Sequence, residues 1–172
     1  MRLQCWRSPK VERRKGGAHG LSLFAIQPIL KNEVIEIKAG KILDEDFIIN
    51  HMDIVQGSHM QLSDKFFIGP TTAQEHDDTL IGFNHSCEPN AYVRGQVLLV
   101  SMRDIATQEE VAVDYATCYT SDTQEFNCLC DKPICRKHIK PSVDWRDLEL
   151  QQKYRGYFTY FVQSKISNKL ST

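Results

Sequence analysis

The segment FNCLCDKPICR places three cysteines, Cys128, Cys130 and Cys135, within eight residues around a turn made by Pro133. Thiols packed this tightly in a reduced protein hold a metal more readily than they pack a core. Structural zinc is tetrahedral with sulfur or nitrogen ligands, so three thiolates call for a fourth ligand from elsewhere in the chain. Whatever supplies it, the C-terminal third must fold back onto a residue distant in sequence. The candidates are Cys5, Cys87, Cys118 and the histidines.

Disulfides are the competing use of six cysteines, and they belong to oxidising compartments. The N-terminus MRLQCWRSPK lacks the apolar stretch of a signal peptide, and no apolar run approaches the ~20 residues of a membrane span. The expectation is a chain of the cytoplasm, or of the nucleus in a eukaryotic or host-targeted setting, with no membrane partner. A net charge of -1 gives no basic excess for a nucleic-acid backbone, so direct nucleic-acid binding is not expected. The basic runs VERRK and CRKHIK read as solvated faces.

LSLFAI, EVIEIK, KFFIG, QVLLVS and EEVAVDY read as short strands between turn residues, and LDEDFIINHM as a short helix. SVDWRDLELQQKYRGYFTYFVQSKI reads as one closing helix with Asp144 as its cap; Tyr154, Tyr157, Phe158, Phe161 and Val162 form its packing face. The fold class is mainly β.

In the middle of the chain, GFNHSCEPNAYV packs an amide, an imidazole, a hydroxyl and a thiol before a proline turn. A turn explains Pro89 and Asn90 but not Asn84, His85 and Cys87. Taken singly, His85 reads as a hydrogen-bonded structural histidine and Cys87 as a small buried hydrophobe. Three motifs in order, HGLSLFA, FNHSCEPN and EEVAVDY, followed by the cysteine cluster, give the chain its specificity.

That order resembles the SET-domain protein lysine methyltransferases over roughly residues 16 to 138, and the chain is similar to their compact, prokaryote-type members. Asn84, His85, Ser86, Cys87, Pro89 and Asn90 match the N-H-S-C-x-P-N motif. Glu109, Glu110, Asp114 and Tyr115 match E-E-L-x-x-D-Y, with Val111 at the leucine position. The resemblance implies a β-clip-like SET fold with a pseudoknot, a post-SET zinc site and a C-terminal helix. It divides the chain into an N-terminal segment (1–15), a SET domain (16–120), a post-SET zinc module (121–140) and a C-terminal helix and tail (141–172).

The function implied is methyl transfer from S-adenosyl-L-methionine to a lysine side chain of a protein substrate, histone-like and ribosomal proteins being candidates. Tyr115 is the implied catalytic residue. His19, Gly20, Leu21, Asn84, His85, Tyr115 and Leu129 are the implied cofactor contacts, and Phe83, Val113 and Tyr119 the substrate channel. Cys87 joins Cys128, Cys130 and Cys135 as the zinc ligands. The alternative is a catalytically weak, zinc-containing binding or scaffold module derived from the same fold.

Several positions depart from the family pattern. Ser22 stands for the second glycine of G-x-G, Asn32 and Gln108 occupy turn-glycine positions, and Asp131 replaces a glycine after the second cluster cysteine. Asn tolerates a left-handed backbone better than Gln does. Ile37 stands where many members carry tyrosine. Val113 stands where they carry phenylalanine or tyrosine, so the space beside the substrate amine is expected to be wider unless Tyr119 or Phe126 fills it.

Overall fold

A computed structural model describes residues 3–17, 20–55, 57–121 and 125–169. Short strands dominate. The first five are β1 (Trp6–Arg7), β2 (Val11–Lys15), β3 (Leu21–Ala25), β4 (Val34–Ile37) and β5 (Lys41–Asp44). Two short helices follow, α1 (Glu45–Asn50) and α2 (Met52–Val55), then β6 (Met60–Gln61), β7 (Phe66–Gly69) and α3 (Ala73–Thr79). The central part holds β8 (Asn84–His85), β9 (Ala91–Arg94), β10 (Leu98–Ser101) and β11 (Ala112–Val113). The chain then forms β12 (Phe126–Asn127) and β13 (His138–Ile139), and ends in α4 (Pro141–Asp144), α5 (Leu148–Lys153) and α6 (Tyr160–Lys169).

The largest sheet is antiparallel, in the order β1-β4-β10-β9, and the smaller sheets are β2-β3, β5-β7-β6, β8-β11 and β12-β13. Leu23, Ile35, Val93, Leu99, Val111 and Val113 are fully buried in the main core. β3 buries both faces because a second segment crosses it: Val111 N–H donates to Leu23 O at 2.8 Å, and Ala25 N–H to Glu109 O at 3.0 Å. This crossing seats the EEVAVDY segment, of which only Ala112–Val113 is regular strand.

Residues 41–79 form an insert with its own small core of Leu43, Ile48, Val55 and Phe67. Asp44 caps α1 by accepting from Phe47 N–H at 2.8 Å, which fixes the strand-to-helix turn. Two buried polar contacts fasten the insert to the main body. Lys38, 4% exposed, donates from Nζ to Ser58 O at 2.6 Å and to Thr79 O. Tyr119 donates its hydroxyl to His59 O at 3.0 Å. Burial lowers the Lys38 pKa to about 8 and that of His59 to about 4.

The single closing helix expected from the sequence is instead three short ones. Asp147, not Asp144, caps α5, accepting from Glu149 N–H at 2.8 Å and Leu150 N–H at 3.1 Å. Asp144 ends α4 and turns its carboxylate toward Lys140 N–H and Arg136. Gly156, at φ +85°, sits in the break between α5 and α6. The aromatic face packs all the same, as Trp145, Tyr154, Phe158, Val162 and Ile166 make a second core.

Three of the expected turn-glycine positions have left-handed backbones: Asn32 at φ 69°, Gln108 at 72° and Asp131 at 51°. Gln108 is held there by a 2.6 Å bond from Arg14 Nη2 to its Oε1. No helix among the described residues is long and apolar enough to cross a membrane.

Candidate active site and metal centre

β8 and β11 pair in parallel, Asn84 opposite Ala112 and His85 opposite Val113, so the two central motifs lie side by side. Asn90 locks them together. Its Nδ2 donates to Glu110 O at 2.8 Å and Glu109 Oε1 at 2.9 Å, while its Oδ1 accepts from Ala112 N–H at 3.0 Å. At the other end, Asn84 Nδ2 donates to Leu21 O at 3.0 Å and Ser22 Oγ at 2.7 Å. Ser22 passes the link on by donating to Gly16 O at 2.9 Å. The serine at the glycine position thus has a structural use of its own.

Tyr115 opens a 3₁₀ turn, Tyr115–Thr117, capped by the Asp114 carboxylate. Its ring makes edge contacts with Phe83, His85, Tyr119 and Phe126 at centroid distances of 6.1, 5.3, 5.3 and 5.7 Å. Burial, with the neighbouring Cys118 adding to it, raises the phenol pKa well above its ordinary value, so the group is a neutral hydroxyl donor. Val113, fully buried, belongs to the same packed cluster as Phe83 and Tyr119. Tyr119 is pinned by its bond to His59 O.

The sulfur atoms of Cys87, Cys128, Cys130 and Cys135 all lie within 4.8 Å of one another. A tetrahedral ion with metal–sulfur bonds of ~2.3 Å needs sulfurs roughly 3.8 Å apart, so the set fits with minor adjustment. Backbone donors already serve these sulfurs: Arg136 N–H to Cys87 at 3.3 Å, Cys130 N–H to Cys128 at 3.4 Å and Lys137 N–H to Cys135 at 3.4 Å. Amides aimed at sulfur stabilise thiolates, the ligating form. Burial pushes Cys87 up to about 11; at Cys130 burial is outweighed by backbone hydrogen bonds, which bring it down to about 7. Cys5 and Cys118 stand apart. Cys5 bonds Thr79 O at 3.2 Å, and Cys118 is buried in the main core.

A cavity of about 390 Å³ separates the central motif from the cysteine loop, lined by His85, Ser86, Glu110, Leu129 and Lys132 among others. Leu129, 65% exposed, offers an apolar surface at its edge. Of the expected cofactor contacts, His85 and Leu129 line this space, while Asn84 and Leu21 are bonded to each other through the Asn84 amide. Gly20, at φ +88°, has nothing within 4 Å of where a Cβ would stand. His19 lies outside the described residues.

Sequence reasoning missed Arg136. The run CRKHIK is not a uniformly solvated face, because Arg136 makes a bidentate pair with Asp114, both bonds 2.7 Å, and the Asp114 side chain is fully buried. VERRK is likewise half-engaged, with Arg14 stacked on the Phe24 ring at 4.2 Å and Arg13 reaching Asp77 O at 3.4 Å. Nothing local in the basic run marks Arg136 out, because the burial of Asp114 is a tertiary fact. Glu109 was quoted only as motif; its burial is outweighed by bonds from Arg103, Asn90 and Ala106, which hold its pKa down at about 2.

A family profile described as the SET domain matches residues 20–116. Histone-lysine N-methyltransferase ATX2 of Arabidopsis thaliana is 29% identical over 136 residues, covering 71% of this chain and 12% of that protein. An H3 lysine-36 specific histone-lysine N-methyltransferase of Kluyveromyces lactis is 31% identical over 139 residues, covering 73% of this chain and 18% of its own length. An H3 lysine-4 specific counterpart in Schizosaccharomyces pombe is 27% identical over 133 residues, with shares of 70% and 14%. The chain therefore spans less than a fifth of the length of these relatives.

Proposed function

Since this chain belongs to the SET-domain family, we propose that it methylates a lysine side chain of a protein substrate, with S-adenosyl-L-methionine as methyl donor and a structural zinc ion in the four-cysteine site. The observation that carries this reading is the half-buried, neutral Tyr115 phenol, its ring set among Phe83, His85, Tyr119 and Phe126, three residues after Ala112 in the wall of the cavity of about 390 Å³. When bound, S-adenosyl-L-methionine supplies a methyl group on a sulfonium sulfur.

The protein's part is orientation and desolvation. A lysine amine has an unperturbed pKa of ~10.4, and an apolar channel favours the neutral amine whose lone pair attacks. Phe83, Val113 and Tyr119 would form that channel, and Tyr115 would align the amine through its hydroxyl, so the gain is proximity and orientation. His85, Leu129, Gly20, Leu21 and Asn84 would hold the cofactor, with His19 as a further expected contact. The substrate ammonium would lose one proton to solvent on entering the channel, and its nitrogen would carry the positive charge, with the methyl group, once transfer is complete. Cys87, Cys128, Cys130 and Cys135 would hold zinc, which orders the loop carrying Leu129.

The relatives are named for histone lysines, which supports a histone-like substrate. The scaffold alternative would find its support in Ser22, Ile37 and Gln108, the departures a decaying site would show. Ser22 is instead hydrogen-bonded into the motif, and Gln108 takes the left-handed turn the family assigns to glycine.

The test is calorimetric binding of S-adenosyl-L-methionine to zinc-loaded protein, followed by labelled-methyl transfer to core histones and to lysate proteins. Tyr115→Phe should lower transfer by about a hundredfold or more while cofactor affinity stays within a few-fold, since orientation terms of that size attach to misplaced reacting groups. Undiminished transfer by Tyr115→Phe, or no cofactor binding by the native protein, overturns the proposal.

A further inference from the structure

Two hydrogen-bonded routes lead from the cysteine cluster to the backbone of Tyr115. The first runs through His85. Tyr115 N–H donates to His85 Nδ1 at 3.2 Å, which places the ring proton on Nε2, and Nε2 faces Cys87 Sγ at 3.3 Å. The second runs through Arg136. Its own N–H donates to Cys87 Sγ at 3.3 Å, its guanidinium grips both oxygens of Asp114 at 2.7 Å, and Asp114 Oδ1 accepts from Ala116 N–H at 3.1 Å. The residue before Tyr115, the residue after it and its own amide are thus all fixed by groups touching one sulfur.

The arrangement is more than closure of a lid. On the cysteine side the cavity is lined by Leu129, Cys130, Asp131 and Lys132, none of which takes part in either route. Arg136 lies beyond the third cluster cysteine, and its fork geometry suits a planar carboxylate held in one orientation. With Arg136 in place Asp114 has no exposed surface, so removing only the guanidinium would leave a carboxylate short of its charge partner in a covered site.

We propose that the metal centre sets the orientation of Tyr115 through Arg136 and His85, which act as positioning residues, so that metal occupancy governs turnover as well as cofactor retention. The inference rests on the methyltransferase reading above for its link to rate, but the coupling itself is measurable without a substrate. The geometry also separates the roles of two neighbouring side chains: Leu129 serves the cofactor, Arg136 the tyrosine turn.

Amide hydrogen exchange on zinc-loaded protein tests it. Arg136→Lys keeps the charge but loses the two-point grip. In the zinc-replete variant the Tyr115 and Ala116 amides should exchange at least about tenfold faster, while Leu23 and Leu99 in the main core stay unchanged. Chelating zinc from the native protein should give the same local loss. Leu129→Ala is the counter-variant and should weaken cofactor binding while leaving the two amides protected. Asp114→Asn tests the pair from the other side should Arg136→Lys fail to retain zinc. With core histones or another acceptor in hand, Arg136→Lys should lower kcat by at least about tenfold with KM for S-adenosyl-L-methionine within twofold. Full protection of both amides in zinc-loaded Arg136→Lys, or in Asp114→Asn, overturns the coupling. Absence of methyl transfer with the coupling intact would sink the enzymatic reading alone.

Discussion

The insert, residues 41–79, and the cysteine module reach the same tyrosine by opposite means. The insert brings a packed core of Leu43, Ile48, Val55 and Phe67 and touches the site through a phenol, Tyr119, bonded to the His59 carbonyl. Among the described residues the cysteine module has almost no apolar core, with Cys87, Cys128 and Ile139 buried beside a few half-buried neighbours, and it touches the site through an ion pair. One lobe holds itself by excluding water, and the other has a four-cysteine cluster that could hold a metal ion. Loss of metal should therefore strip one side of the site and spare the other.

The largest effect sharpens that contrast. Cys87→Ser, or chelation, should unfold the segment from Phe126 to Ile139, because structural zinc sites contribute ~10–16 kcal/mol in isolated modules. Amides of the insert should stay protected, as mass-resolved hydrogen exchange can show. Persistence of the β12-β13 pair without metal would break the comparison.

Next in size is Phe67→Ala, fully buried in the insert. A cavity there should cost ~3–5 kcal/mol in urea unfolding, with zinc content unchanged. Coincident loss of zinc would mean the two lobes are one cooperative unit.

Lys38 gives a pH signature specific to the insert. Its folded pKa of about 8 lies below the ordinary lysine value of 10.5, so between those values the unfolded chain binds more protons and native stability rises with pH. The contribution is on the order of 3 kcal/mol across the window. Lys38→Met removes the titrating group, so native stability should gain on the variant's between pH 8 and 10.5, as urea midpoints at both ends can measure. A constant difference would show that the buried amine is not the source.

The smallest change belongs to the cysteine module. Asp131, at φ 51°, should prefer glycine, and Asp131→Gly should slow zinc release to a chelator by an amount equivalent to about 1 kcal/mol or less. Faster release would mean that the Asp131 carboxylate, not its backbone, matters to the loop.

The two lobes were unequally legible in the sequence. Three members of the four-cysteine cluster followed from the spacing of Cys128, Cys130 and Cys135, because thiol clusters have few other uses, whereas Cys87 followed only from the family resemblance of its motif. Strands such as LSLFA and VIEI followed from their apolar runs. The breaks in the closing helix were harder: Asp144 and Asp147 both look like caps, and only the Arg136 contact, a tertiary fact, decides between them. Arg136 was hidden for the same reason. A charged residue in a basic run carries no local mark of the buried carboxylate it will meet, and Lys38 and His59 were equally silent because burial is set by what packs on top.

The parallel pairing of β8 with β11 has a consequence for how the chain acquires its site. Each strand contributes only two residues, and the pair joins segments separated by the whole β9-β10 hairpin, so its few bonds must offset the entropy of closing that loop. Local hairpins such as β2-β3 and β9-β10 can form with short closures, whereas this contact cannot lead. The Tyr115 turn should therefore form late on the folding route, after the scaffold that presents it. Mutations around Tyr115 should accordingly speed unfolding more than they slow folding.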